Sequence, residues 1–157
     1  MRSLADLRRT FAGPGRLEWI GLRPERKAPL VAVARAEIGA AGLTGDHGRS
    51  GKRAVTVIQA EHLPVVAALV NRPDVPPDVL RRNLVISGIN LTALREFGLR
   101  IGSVRLQVTA PCAPCSRMEA ILGPGGYSAM RGHGGWCCSV VQSGSIAQGD
   151  AVVVDAD

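Results

Sequence analysis

Cys112 and Cys115 form a Cys-x-x-Cys pair in the stretch running from Thr109 to Glu119. The apolar alternation of Val104, Leu106 and Val108 before it predicts a strand, and residues 116–122 after it predict a short helix. A thiol at such a junction meets the unpaired N–H groups and positive dipole end of the helix, which favour a thiolate. Cys115 is therefore the first candidate for the reactive atom, as a nucleophile or a metal ligand, with Arg117 adding positive charge. Cys112 is a candidate to resolve an oxidised or sulfur-loaded partner by forming a disulfide, or else a structural turn residue.

The other two cysteines, Cys137 and Cys138, are adjacent. Neighbours on a strand point to opposite faces, so they do not combine with Cys112 and Cys115 into a four-cysteine zinc site. A thioredoxin-like dithiol would open a long helix in a parallel βαβ unit, which this pattern does not offer. The expectation is that Cys137 and Cys138 are strand residues, at least one of them buried as a small hydrophobe.

Two glycine-rich segments supply further candidates. Residues 42–53 are dense in glycine and end in Arg49, Lys52 and Arg53, an arrangement whose successive N–H groups form an anion nest or, equally, a flexible surface loop. Asp46 and His47 in it read as ligands, an acid–base pair or plain turn residues. Residues 129–135 form a second glycine-rich loop with Arg131 and His133. Arg82 is expected to serve a pocket, on the view that adjacent strand residues Arg81 and Arg82 face opposite sides.

The elements that must hold these residues are short. Residues 4–11 predict a lead-in helix. Strands are expected over 17–21, 31–35, 54–58, 84–87, 99–101, 104–108, 136–142 and 151–154, with a helix over 61–70 whose Pro64 falls in the first turn. Residues 37–42 and 144–150 read as loop and turns. Many short strands with few helices make the chain mainly β with short helices (α+β), a barrel or a sandwich. The organisation expected is a lead-in over residues 1–15 and one domain over 16–157.

Composition narrows the classes. The 157 residues carry 19 Lys plus Arg against 13 Asp plus Glu, a net charge of +6, and only Lys27 and Lys52 are lysines. Arginine forks suit phosphates and carboxylates, so an anionic ligand is expected. Two Trp, two Phe and one Tyr provide few stacking platforms, and there is no basic block, which argues against nucleic acid. No apolar run is long enough to span a membrane, and Asp6, Arg8 and Arg9 interrupt any signal-peptide core, so a cytoplasmic protein is expected.

The order of motifs resembles the MOSC domain, the module named for the C-terminus of molybdenum-cofactor sulfurases. It begins with residues 42–47 (Gly-Leu-Thr-Gly-Asp-His) and 53–61 (Arg-Ala-Val-Thr-Val-Ile-Gln-Ala-Glu). Then come 81–91 (Arg-Arg-Asn-Leu-Val-Ile-Ser-Gly-Ile-Asn-Leu) and 112–118 (Cys-Ala-Pro-Cys-Ser-Arg-Met). Residues 136–141 with 144–150 complete the series. The resemblance runs from Arg16 to Val154. It implies a β-barrel of mixed strands and a cysteine, here Cys115, that carries sulfur or coordinates molybdenum of the pterin cofactor. It also places Arg82 and Asn83 in the arginine–asparagine motif that holds the cofactor. Arg49, Arg53, Arg117, Arg131 and His133 are added from charge and glycine context alone.

The motifs are expected to stand alone, without the desulfurase portion or the N-terminal barrel of related proteins, and neither lysine suggests a pyridoxal phosphate Schiff base. Sulfur or electrons are therefore expected from a partner, a desulfurase or a redox protein. The functions implied are reduction of N-hydroxylated compounds or sulfur carriage. The contrasting reading is a non-enzymatic module that holds an anionic ligand or partner.

Overall fold

The computed structural model describes residues 2–156. It contains strands β1 (Gly15–Leu22), β2 (Val31–Val33), β3 (Arg35–Gly39), β4 (Gly42–Leu43), β5 (Val55–Gln59) and β6 (Leu84–Ser87). The remainder are β7 (Gly98–Ile101), β8 (Val104–Pro111), β9 (Trp136–Gln142), β10 (Gly144–Ala147) and β11 (Ala151–Val154). The helices are α1 (Leu4–Arg8), α2 (His62–Leu69), α3 (Ser116–Leu122) and α4 (Gly126–Met130).

The main sheet runs β11-β7-β8-β9-β5-β6-β1-β2, and pairing of β11 with β1 closes it into a barrel of seven strands with β2 appended. Only β5 and β6 pair in parallel, joined through α2, so the barrel is mixed. Closure leaves those seven strands without free edges. The strand period of two then assigns the cores. Leu84, Ile86, Val55, Val57 and Cys138 point into the barrel. Val85 and Ile58 point outward into a second core, where α2, α3 and α4 bring Val66, Met118, Leu122 and Met130 against them.

Several local expectations change. Residues 31–35 divide into β2 and the start of β3, and the expected loop over 37–42 is a hairpin of β3 and β4. Residues 144–147, read as turns, form β10 against β3. These strands make a separate three-stranded sheet whose few buried side chains, Ile38, Leu43 and Ile146, join the barrel core. The second glycine-rich segment begins inside α4, which the acceptor carboxylate of Glu119 starts by taking the N–H groups of Gly125 and Tyr127.

One buried polar cluster knits the barrel to the first glycine-rich loop. Asn83 is fully buried. Its amide donates to Gly21 O at 3.1 Å and to Asp46 Oδ1 at 3.1 Å, while its side-chain oxygen accepts from Thr56 N at 3.1 Å. Asp46 in turn accepts from Arg23 Nε, Arg23 Nη2 and Gly48 N. Replacing Asn83 by Ala would leave the Gly21 carbonyl and Thr56 N–H buried without partners. Urea denaturation of Asn83→Ala is expected to show a loss of about 2–4 kcal/mol; a loss below roughly 0.5 kcal/mol, the level of a neutral surface change, would contradict this role.

Candidate functional site

Two clefts open at the surface near the cysteines. The first, of about 330 Å³, is walled by Leu91, Pro111, Cys112, Pro114 and Trp136 and carries the polar groups of Gln59, His62, Thr92 and Arg131. The second is wider and basic, with Arg23, Arg26, His47, Arg49, Lys52 and Arg53 around about 620 Å³. The walls of the first are held firmly. Gln59 donates to Glu61 and accepts from Leu91 N, and the Arg95 guanidinium lies 5.2 Å from the Trp136 ring centre.

Cys115 directly follows Pro114, the last residue of this segment to line the first cleft, and is not itself part of the lining. It precedes α3 in an extended conformation, is exposed, and its sulfur makes no capping hydrogen bond. Cys112 is buried on the cleft side, with its N–H donating to Gly135 O at 2.9 Å. Its sulfur lies 3.3 Å from Cys137 Sγ, so its thiol neighbour is Cys137. A bulge between Val108 and Ala110 places Ala110 opposite Cys137 and Val108 opposite Cys138. Cys138 thereby faces the barrel core, and burial raises its thiol to about 12.

Arg82 sits beneath the second glycine-rich loop. Its Nε donates to Gly134 O at 2.7 Å and its Nη1 to Leu80 O at 2.9 Å, while Nη2 is buried with no partner. A Cβ at Gly134 would lie 3.4 Å from that nitrogen and 2.8 Å from Cys112 O. Gly135 has φ +85°, and a Cβ there would stand 2.1 Å from Val57 O. Glycine at 135 is what allows this loop to lie directly on β5. Arg81 precedes β6 in the left-handed region, φ 61°, so the contrast between Arg81 and Arg82 comes from this turn rather than from strand alternation.

The remaining expected site residues separate. Arg131 lines the first cleft, and Arg49 and Arg53 line the basic one. Asn83 is fully buried and lines neither cleft, and Asp46 is the turn residue of its loop. Arg117 faces away, sharing a shallow groove with Lys27 and Arg81. His133 packs edge-on against His62, ring centres 5.1 Å apart, with its Nδ1 3.0 Å from Ala129 O. His62, Gln59, Trp136 and Cys137 are site residues the sequence reading did not single out. Burial, then His133, lowers the His62 pKa from its ordinary value against the opposing pull of Glu61, so its ring is neutral at pH 7.

Among the described residues, no group of three or more His, Cys, Asp or Glu side chains converges as a metal cage. No helix among them is long and apolar enough to cross a membrane.

Residues 44–153 match the MOSC domain family. The YuaD protein of Bacillus subtilis superposes with a TM-score of 0.80 at 17% identity, over 92% of this chain and 97% of that one. YiiM of Geobacillus stearothermophilus superposes with a TM-score of 0.73 at 18% identity, over 90% and 75% of the two chains. YiiM of Escherichia coli gives 0.72 at 20% identity, over 90% and 70%. These likenesses establish the closed mixed barrel as a shared fold. No curated protein matches the chain by sequence.

The Asp46 cluster makes stability pH-dependent. Burial pushes its carboxyl up, but the hydrogen bonds and charge of Arg23 and the N–H of Gly48 outweigh that and hold it below the usual value. The unfolded chain therefore takes up this proton first as pH falls. The contribution is complete above about pH 4 and is lost as pH falls through the folded-state value. Thermal melts between pH 7 and 3 are expected to show a smaller acid-induced decrease for Asp46→Asn than for the natural chain; equal decreases would contradict it.

Proposed function

The chain belongs to the MOSC domain family, and on that premise we propose that it binds molybdenum cofactor at the first cleft, with Cys115 as the sulfur ligand to the metal, and acts as an oxidoreductase on small N-hydroxylated compounds. The observation that carries this reading is an exposed, free thiol at Cys115, next in sequence to Pro114 in the wall of a preformed, largely apolar cleft. Such a cleft suits a small organic ligand held by a few polar groups.

The residues present fit the group. A pterin dithiolene brings its own sulfur donors, so one protein thiolate completes a soft donor set and no cage of several protein ligands is needed. The unpartnered Arg82 Nη2 and the Arg131 guanidinium supply donors for an anionic or carbonyl-bearing ligand, and the loop at Gly134 and Gly135 allows close backbone approach. When bound, the cofactor supplies a two-electron centre for removing the hydroxyl oxygen of the substrate, with electrons from a redox partner.

The chain's own contributions are binding and orientation. Trp136, Leu91 and Pro111 cover the apolar part of a substrate and exclude water from it. Neutral His62 and Thr92 orient its polar end by hydrogen bonding without adding charge, and Arg131 receives an anionic group. The basic cleft provides a docking field for an acidic partner. The exposure of Cys115 also favours a second reading, a sulfur carrier loaded by a partner desulfurase.

Elemental analysis of protein purified from a host that makes the cofactor separates these readings. The expected result is stoichiometric molybdenum in the natural chain, its loss in Cys115→Ser, and retention reduced roughly tenfold to a hundredfold in Arg82→Gln. Molybdenum absent from every form, with a persulfide on Cys115, would replace the reductase with the carrier. Retention unchanged in Cys115→Ser would contradict the assignment of the ligand.

A further inference from the structure

The cofactor reading leaves Cys137 without a task, yet its surroundings are organised. The Cys112 and Cys137 sulfurs approach to 3.3 Å where the end of β8 pairs with the start of β9, with Ala110 opposite Cys137 and Pro111 opposite Trp136. Cys137 faces outward from β9 because Cys138 occupies the inward position. Its own carbonyl accepts from Thr109 Oγ1 at 3.0 Å, which helps fix that segment. Cys112, 9% exposed, lines the first cleft and gives a small solute a route to the pair.

We propose that Cys112 and Cys137 form a second sulfur centre, a redox-active dithiol that hydroperoxides convert to an intramolecular disulfide. It is independent of Cys115 and stands without the cofactor reading.

The local electrostatics divide the roles. The contact with the Cys112 sulfur, and then the charges of Arg53, Arg82 and Arg23, lower Cys137 against the opposing effect of burial. The same contact, and then burial, raises Cys112. Cys137, whose proton loss the neighbouring arginines favour, is the nucleophile of the pair. Its sulfur attacks the terminal oxygen of the hydroperoxide, the O–O bond breaks, and the alcohol or water leaves after taking a proton. Cys137 is now a sulfenic acid, oxidised by two electrons. Cys112 sulfur then attacks it, the S–S bond forms, and the sulfenic oxygen departs with the Cys112 proton as water. Overall, two thiols and one hydroperoxide give one disulfide, one alcohol (or water) and one water. The bond would tie the end of β8 to β9 across the cleft wall and withdraw the Cys112 thiol from it.

The test treats the reduced chain with hydrogen peroxide, blocks the remaining thiols and maps the peptides by mass spectrometry. The expected product has lost about 2 Da and contains a Cys112–Cys137 linked peptide that dithiothreitol reverses. The link persists in Cys115→Ser, whose changed side chain is exposed, and is lost completely in Cys137→Ser. In Cys112→Ser, dimedone is expected to label Cys137. A Cys112–Cys115 link in the natural chain would overturn the proposal. So would unlinked thiols at 112 and 137 in Cys115→Ser after peroxide treatment.

Discussion

The side-chain amide of Asn83 is the constraint on which the arrangement rests. It meets β1 through Gly21, β5 through Thr56 and the first glycine-rich loop through Asp46, all within a fully buried space. A buried amide retained without these partners would be costly, so the contacts form together or not at all. Their formation sets the adjoining Arg82 under the second glycine-rich loop and anchors Arg23 between Asp46 and the basic cleft. One residue thus relates the two clefts, although it lines neither.

Strand alternation and one bulge then distribute the sulfur. Cys138 faces the barrel core and is chemically quiet, while Cys137 faces outward against Cys112. Cys115 lies beyond the sheet, where an extended residue before α3 leaves its thiol exposed. The four cysteines consequently occupy three environments: an apolar interior, a buried pair among arginines, and an exposed surface turn. Burial and charge, rather than spacing along the chain, give each its chemistry.

Much of this was legible in the sequence. The period-two runs at residues 84–87, 104–108 and 136–142 specify strands because their apolar positions face a closed interior. The place of Cys115 between a strand and a helix was legible from the periods that flank it. The small sheet was not, because β3, β4 and β10 are built largely from small and polar residues with few inward apolar positions. The glycine at 126, which reads as a breaker, instead starts α4 under Leu122 and Met118, where a Cβ would lie 2.7 Å from Leu122 Cβ and 2.7 Å from Met118 O. Arg117, two residues beyond Cys115, lines the groove shared with Lys27 and Arg81 rather than either of the two clefts. The Cys112–Cys137 approach depends on the pairing of β8 with β9 and the bulge between Val108 and Ala110, long-range features that no local spacing encodes. His62 carried only the weak signal of a histidine opening a helix after a buried strand.

The central claim is that Cys115 supplies sulfur to molybdenum at the first cleft. Molybdenum X-ray absorption on protein loaded with purified cofactor tests it most directly, comparing the natural chain with Cys115→Ser under identical loading. The account predicts one sulfur scatterer fewer around the metal in Cys115→Ser, with the fold preserved. An unchanged sulfur count in a variant that still holds the metal would contradict it.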